Sequence, residues 1–222
     1  MTRGIVEPEM EGLVRAYLLA KRDVVDAGFE GEITWQESIM PDVVTGPLFL
    51  REAAWVVLCS GMKERVVRRV FDQIALAMLE WDAHEIAKQS TRCRTNALAV
   101  FGHTGKVDAI IAIARRIARE GPRPLLDAVR CEGPTALVQL PYVGSTTCYH
   151  LAKNLGFQVP KPDRHLLRIA ATYGKEVTDL CASIARALDE PVAVVDIVLW
   201  RYATIQGNYL ASFAAARELP SA

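Results

Sequence analysis

Apolar residues recur every three or four positions through most of this chain, the spacing that lays a buried stripe along an α-helix. Leu13, Val14, Tyr17, Leu18 and Val24 set this period over residues 8–26, and Gly28 closes the run as a C-terminal cap. The same pattern predicts helices over 48–60, 63–80, 105–120, 123–131, 134–140, 145–155, 164–173, 176–188 and 191–204. Residues 29–47 contain Gly31, Pro41, Gly46 and Pro47, which break helical runs, and read as a crossover without a helix. Gly121-Pro122, Gly133-Pro134, Gly156 and Gly174 fall where periodic runs end. Pro122, Pro134 and Pro191 suit helix starts, because a first-turn proline forfeits no helical hydrogen bond. Strand-type alternation is nearly absent. The segment REAAWVVLCSG has strand propensity, but its length and charged start favour a buried helix. The expected fold class is all-α, with short helices joined tightly.

Composition bounds this picture. With 222 residues, 51% of them hydrophobic, the chain can bury a core as one domain or as two small lobes. Its first residues lack the continuous apolar core of a secretory signal, and no apolar run reaches about 18 residues, so a cytosolic protein without a membrane span is expected. Cys59, Cys93, Cys131, Cys148 and Cys181 are scattered without a CxxC spacing, which argues against a disulfide framework or a metal site and for buried free thiols. The 26 basic and 26 acidic side chains cancel. Two basic stretches, Lys63/Arg65/Arg68/Arg69 and Arg115/Arg116/Arg119/Arg123, taken alone read as solvated helix faces.

The most informative stretch is 134–173. A short helix ends at Leu140, a tight turn runs from Pro141 through Tyr142 and Val143 to Gly144, and a second helix opens with Ser145-Thr146-Thr147. Such a turn aims unpaired backbone N–H groups outward, which suits a phosphate oxygen, and Gly144 is expected at positive φ to permit the turn and the close approach. An ordinary αα-hairpin with Ser145 as N-cap fits the same residues. A helix over 145–155 rises about 16 Å. The extended, proline-bearing Phe157–Asp163 can span up to about 23 Å, so the chain is able to return Asp163 toward the hairpin. Asp163 also reads as the N-cap of RHLLRIAATYG, and the two roles are compatible.

LPYVG, followed 19 residues after Gly144 by Asp163 in PDRHLLR, resembles the LPGVG…VDxHVxR signature of the helix-hairpin-helix (HhH-GPD) base-excision DNA glycosylases. FLREAAWVVLCSGM near 49–62 resembles that family's barrel helix and following loop, and VVDIVLWRYA near 194–203 its closing helix. The resemblance implies a two-lobed helical globule with a DNA cleft between the lobes, residues 48–150 forming a barrel lobe that includes the hairpin and residues 1–47 plus 151–222 a second lobe built from both termini. It further implies Pro141, Tyr142, Val143, Gly144, Ser145 and Thr146 as the phosphate-binding hairpin and Asp163 as the catalytic carboxylate. His165 and Lys161 are supporting candidates, with Tyr149 and Trp200 as candidate pocket walls. Trp55, His150 and Tyr202 are further aromatic candidates, although periodic aromatics in helices are more often core. The implied partner is double-stranded DNA carrying a damaged or mispaired base, with no metal or other cofactor, and the implied location is the cytoplasm at the nucleoid.

The sequence departs from the signature in four places. Tyr142 replaces the first hairpin glycine, Thr146 stands where bifunctional members carry a Schiff-base lysine, Ser60-Gly61-Met62 lacks the family's loop glutamine, and the four-cysteine cluster of some members is absent. Threonine has no amine, so the expected activity is monofunctional, with Asp163 stabilising the oxocarbenium-like sugar and activating water. The alternatives are a glycosylase/lyase using Lys153 or Lys161, and a non-catalytic helix-hairpin-helix module.

Overall fold

The computed structural model describes residues 8–218, and no strand occurs among the described residues. Helices α1 (Pro8–Asp26) and α2 (Glu30–Ser38) lead through a 3-10 turn at Pro41–Val43 to α3 (Gly46–Cys59), α4 (Glu64–Arg68) and α5 (Phe71–Ala77). A 3-10 turn at Leu79–Trp81 precedes α6 (Ala83–Lys88), α7 (Ser90–Val100), α8 (Thr104–Glu120) and α9 (Arg123–Glu132). A longer 3-10 helix, Pro134–Gln139, then introduces α10 (Thr147–Asn154), α11 (Arg164–Thr172), α12 (Val177–Leu188), α13 (Val192–Ile205) and α14 (Tyr209–Glu218).

The differences from the sequence pattern have local causes. The crossover expected over 29–47 contains α2, because Gly31 falls in its first turn, where Glu30 and Glu32 favour the positive end of the helix. Gly46 and Pro47 are not breakers either. They begin α3, whose N-cap Thr45 accepts the Leu48 N–H at 3.3 Å. The run expected over 63–80 is interrupted twice, the second time by Leu79, Glu80 and Trp81 at φ 49, 52 and 69, a bend that lets Trp81 stack on Phe71 at 5.3 Å. Helices α7 and α14 show weak apolar contrast. Among α7 residues only Cys93 and Ala97 are buried, and α14 turns Phe213 and Ala216 inward from an alanine-rich segment.

The chain divides into two units, one made of the described residues up to Ser38 together with those from Gln158 onward, the other of Ile39–Phe157. In the first, α1 packs against α12, α13 and α14 around Tyr17, Leu199 and Phe213. Gly12 makes the α1–α14 approach possible, since a Cβ there would fall 2.3 Å from the Ala216 carbonyl oxygen. Glu32 receives Arg201 at 2.6 and 2.9 Å, and Arg201 lies over Phe29 and Trp200.

In the second unit, α3 is the central element and presents Phe49, Leu50, Ala53, Val57 and Leu58 to a core shared with α8 and α10. Helix α10 ends in a Schellman cap, with the Gly156 N–H on Lys153 O and the Phe157 N–H on Ala152 O. Gly156 is required twice over, at φ 90 and with Met40 Cα 2.8 Å from where a Cβ would stand. The carboxylate of Glu52, 2% exposed, accepts the Asn154 amide at 2.9 Å and pairs with Arg51. Burial raises its pKa above the ordinary carboxylate range, opposed by Arg51 and Asn154. The folded state therefore holds the proton to higher pH than the unfolded chain. Stability from this group is full below about pH 4.5 and is lost as pH rises through the folded pKa. Glu52→Gln, neutral throughout, is expected to gain melting temperature relative to the parent protein between pH 4.5 and pH 8, as thermal melts at the two pH values will register.

Among the described residues no helix is long and apolar enough to cross a membrane. No disulfide joins the five cysteines: Cys93, Cys148 and Cys181 are buried, Cys59 is half-buried, and Cys131, against the expectation of buried thiols, is exposed.

Candidate functional site

The 3-10 helix Pro134–Gln139, the following turn and the start of α10 bound an open groove of about 700 Å³ lined by Ser60 and residues 138–147. The turn closes when the Val143 N–H donates to Leu140 O at 3.1 Å, with Leu140 and Val143 buried beneath it. The left-handed residue of this turn is Tyr142, at φ 62, and not Gly144, which stays outside the positive-φ region. Holding a tyrosine there costs about 1–2 kcal/mol, a cost that glycine escapes. The position where the LPGVG pattern carries its first glycine is thus the one whose backbone favours glycine.

Helix α10 opens at Thr147, two residues later than expected, with Thr146 as N-cap position and no side-chain cap bond. Ser145 does not cap it. The Thr147 hydroxyl turns back instead, accepting the Gly144 N–H at 2.7 Å and donating to Gly144 O at 3.3 Å. The Gly144 N–H is therefore spent inside the turn. The N–H groups of Ser145, Thr146 and Thr147 make no hydrogen bond to any described residue, which leaves three donors at the head of the helix beside the groove.

Beside the hairpin, the start of α8 contributes groups that the motif reading did not single out. His103 accepts the Lys106 N–H at 3.4 Å as N-cap, and its ring meets Tyr142 edge-on at 6.0 Å. Lys106 is 3% exposed, and its Nζ donates to Leu58 O at 2.7 Å and Ser60 O at 2.6 Å, closing the C-terminus of α3. Burial pushes its pKa down, partly offset by Cys59. The signal was present in the sequence, since Lys106 shares a helical face with Ile110, Ile113 and Ile117, where a lone lysine must find partners.

In the other unit, Asp163 heads α11. Its Oδ1 accepts the N–H groups of His165 at 2.8 Å and Leu166 at 3.2 Å, and Lys161 Nζ lies 4.0 Å from Oδ2. The Asp163 N–H closes a γ-turn on Lys161 O at 2.8 Å around Pro162, whose fixed φ suits that turn. The turn is anchored to α13, because the Lys161 N–H donates to Oδ2 of the buried Asp196 at 2.7 Å and Gln158 Oε1 accepts the Ala193 N–H at 3.2 Å. Asp163 keeps 14% side-chain exposure. His165 has its pKa lowered by burial, against the pull of Asp163. With Arg164 Nε donating to His165 Nε2, the neutral ring presents Nδ1–H to the Tyr209 hydroxyl at 3.1 Å.

The aromatic candidates are mostly engaged in packing. Trp55 meets Phe71 edge-on beneath Arg68, Tyr202 is buried against Phe213, and Trp200 lies under Arg201, whereas Tyr149 and His150 on α10 are half-buried. The second basic stretch is largely neutralised: Arg116 and Arg119 pair with Glu120, and Arg123 with Asp42 and Asp127. Among the described residues no group of three His, Cys, Asp or Glu side chains stands together to hold a metal ion. Compared with family models, curated proteins and solved structures, the chain matches none.

Proposed function

We propose that this protein is a monofunctional DNA glycosylase of the helix-hairpin-helix kind, removing a damaged or mispaired base from double-stranded DNA. The observation that carries this reading is the backbone at residue 142. A turn that is left-handed where the glycosylase pattern places glycine, followed by three unspent helix-start N–H groups, fits a DNA phosphate oxygen. The hairpin is the phosphate grip of this reading, and Asp163 is its carboxylate. Asp163 is held in one rotamer by its cap bonds on Oδ1, and Oδ2, 4.0 Å from Lys161 Nζ, is the oxygen that would face a positive charge developing on the sugar or orient water.

The lysines argue for base removal without strand cleavage. Thr146 has no amine, Lys153 is 3% exposed, and Lys161 Nζ is engaged 4.0 Å from the Asp163 carboxylate. Borohydride added during reaction with abasic-site DNA is expected to trap no covalent adduct. A trapped adduct that disappears in Lys161→Gln would make the protein a glycosylase/lyase. A second reading, a non-catalytic hairpin module, is favoured by one observation, the use of Asp163 Oδ1 as a helix cap, and base release separates it from the first.

A further inference from the structure

Tyr142 is an anomaly among the residues of the hairpin. It holds a left-handed backbone that glycine would adopt freely, yet its side chain does little for the core: it is 44% exposed, and its hydroxyl makes no hydrogen bond to a described residue. The ring is nevertheless fixed. Its phenol end rests on Gly105, where a Cβ would stand 2.2 Å from the hydroxyl oxygen, and the exposed His103 braces it edge-on, itself stacked on the buried Phe101 at 6.4 Å. A strained, exposed and braced aromatic is a feature that surrounding structure maintains at functional sites.

We propose that Tyr142, braced by His103 and Gly105, is a stacking surface for an unpaired nucleobase next to the phosphate held by the hairpin. The inference rests on the nucleic-acid reading above and adds to it a subsite and a preference. The ring lines the same groove as Ser145, Thr146 and Thr147, whose N–H groups suit a phosphate, and a phosphate bound there brings its own nucleoside beside the ring. Bases inside a duplex have both faces covered by their neighbours, so only a bulged, extruded or terminal base offers a face to an aromatic side chain. Stacking of this kind tolerates any base, because each has a π-face, and it needs no hydrogen bond from the tyrosine hydroxyl. The bracing fixes the ring in advance, so little side-chain freedom is lost on binding.

The test uses the full chain and two duplexes of equal length, one fully paired and one carrying a single bulged 2-aminopurine. The protein is expected to bind the bulged duplex about tenfold more tightly than the paired one and to quench the 2-aminopurine emission. Tyr142→Gly is expected to melt no lower than the parent, because it relieves the backbone, and to lose both the preference for the bulged duplex and the quench. Tyr142→Phe is expected to keep both. Retention of preference and quench in Tyr142→Gly, or salt-dependent duplex binding without either in the parent protein, overturns the stacking surface alone. Absence of salt-dependent binding to both duplexes overturns the glycosylase reading and the stacking surface with it.

Discussion

Asp163→Asn is expected to slow base release by at least about a hundredfold, the effect of removing a preorganised charge from a glycosyl transition state, while the protein melts within a few degrees of the parent. The separation follows from the two jobs of the side chain. As a cap, Asp163 uses Oδ1 to accept from His165 and Leu166, and asparagine offers a carbonyl oxygen in the same place. As a catalyst it must carry a negative charge, which asparagine lacks. Asp163→Ala removes both functions and is expected to cost about 1 kcal/mol of stability in addition. Loss of activity in the asparagine variant with an intact melt therefore isolates the charge, whereas equal melting losses in both variants would assign the residue to structure.

Lys106→Met is expected to be the most destabilising of the substitutions considered, by about 2–3 kcal/mol, or a fall of roughly 4–12 °C in melting temperature for a chain of this size. Methionine keeps most of the buried stem but abandons the carbonyls of Leu58 and Ser60. The relief of a buried charge works the other way, and the orphaned carbonyl of Leu58, out of reach of water, outweighs it. The pH dependence has a defined sign. Because the folded pKa of Lys106 lies below the ordinary 10.5, the unfolded chain binds more protons in the window below 10.5, and stability from this residue rises as pH climbs through that window. The deficit of Lys106→Met is thus expected to widen toward pH 10.5, as paired denaturant titrations at pH 7.5 and 10 can measure; a deficit that narrows would contradict the lowered pKa. Ser60, one of the two carbonyls, lines the hairpin groove, so the same variant is expected to weaken duplex binding.

The all-helical class was legible because stripes such as Leu13–Tyr17–Val24 and Ile110–Ile113–Ile117 announce their period, and because Gly121, Gly133 and Gly156 end helices as their residue type suggests. What was not legible depends on where a residue falls within an element. Gly31 and Pro47 look like breakers in a window, but in a first turn neither one is. The turn at Leu79–Trp81 uses three residues without glycine, which no turn signature marks. At the candidate site, the hairpin and Asp163 could be picked out by residue type and spacing. The exchange between Gly144 and Tyr142 could not, since a glycine in a turn attracts the positive φ in any one-dimensional reading, and here the Thr147 hydroxyl holds Gly144 otherwise. Asp196 was invisible for a related reason: a carboxylate inside VVDIVLW reads as a helix residue until the Lys161 N–H is found on it.

Base release under single-turnover conditions, with the protein in excess over duplexes carrying uracil, alkylated purine, oxidised guanine or mismatched adenine, tests the central claim most directly. At least one of these bases is expected to be freed, leaving an abasic strand that breaks only on alkali treatment, with Asp163→Asn slower by about a hundredfold or more on that substrate. Salt-dependent binding to all four duplexes with no base released, or release by Asp163→Asn at the parental rate, would contradict it.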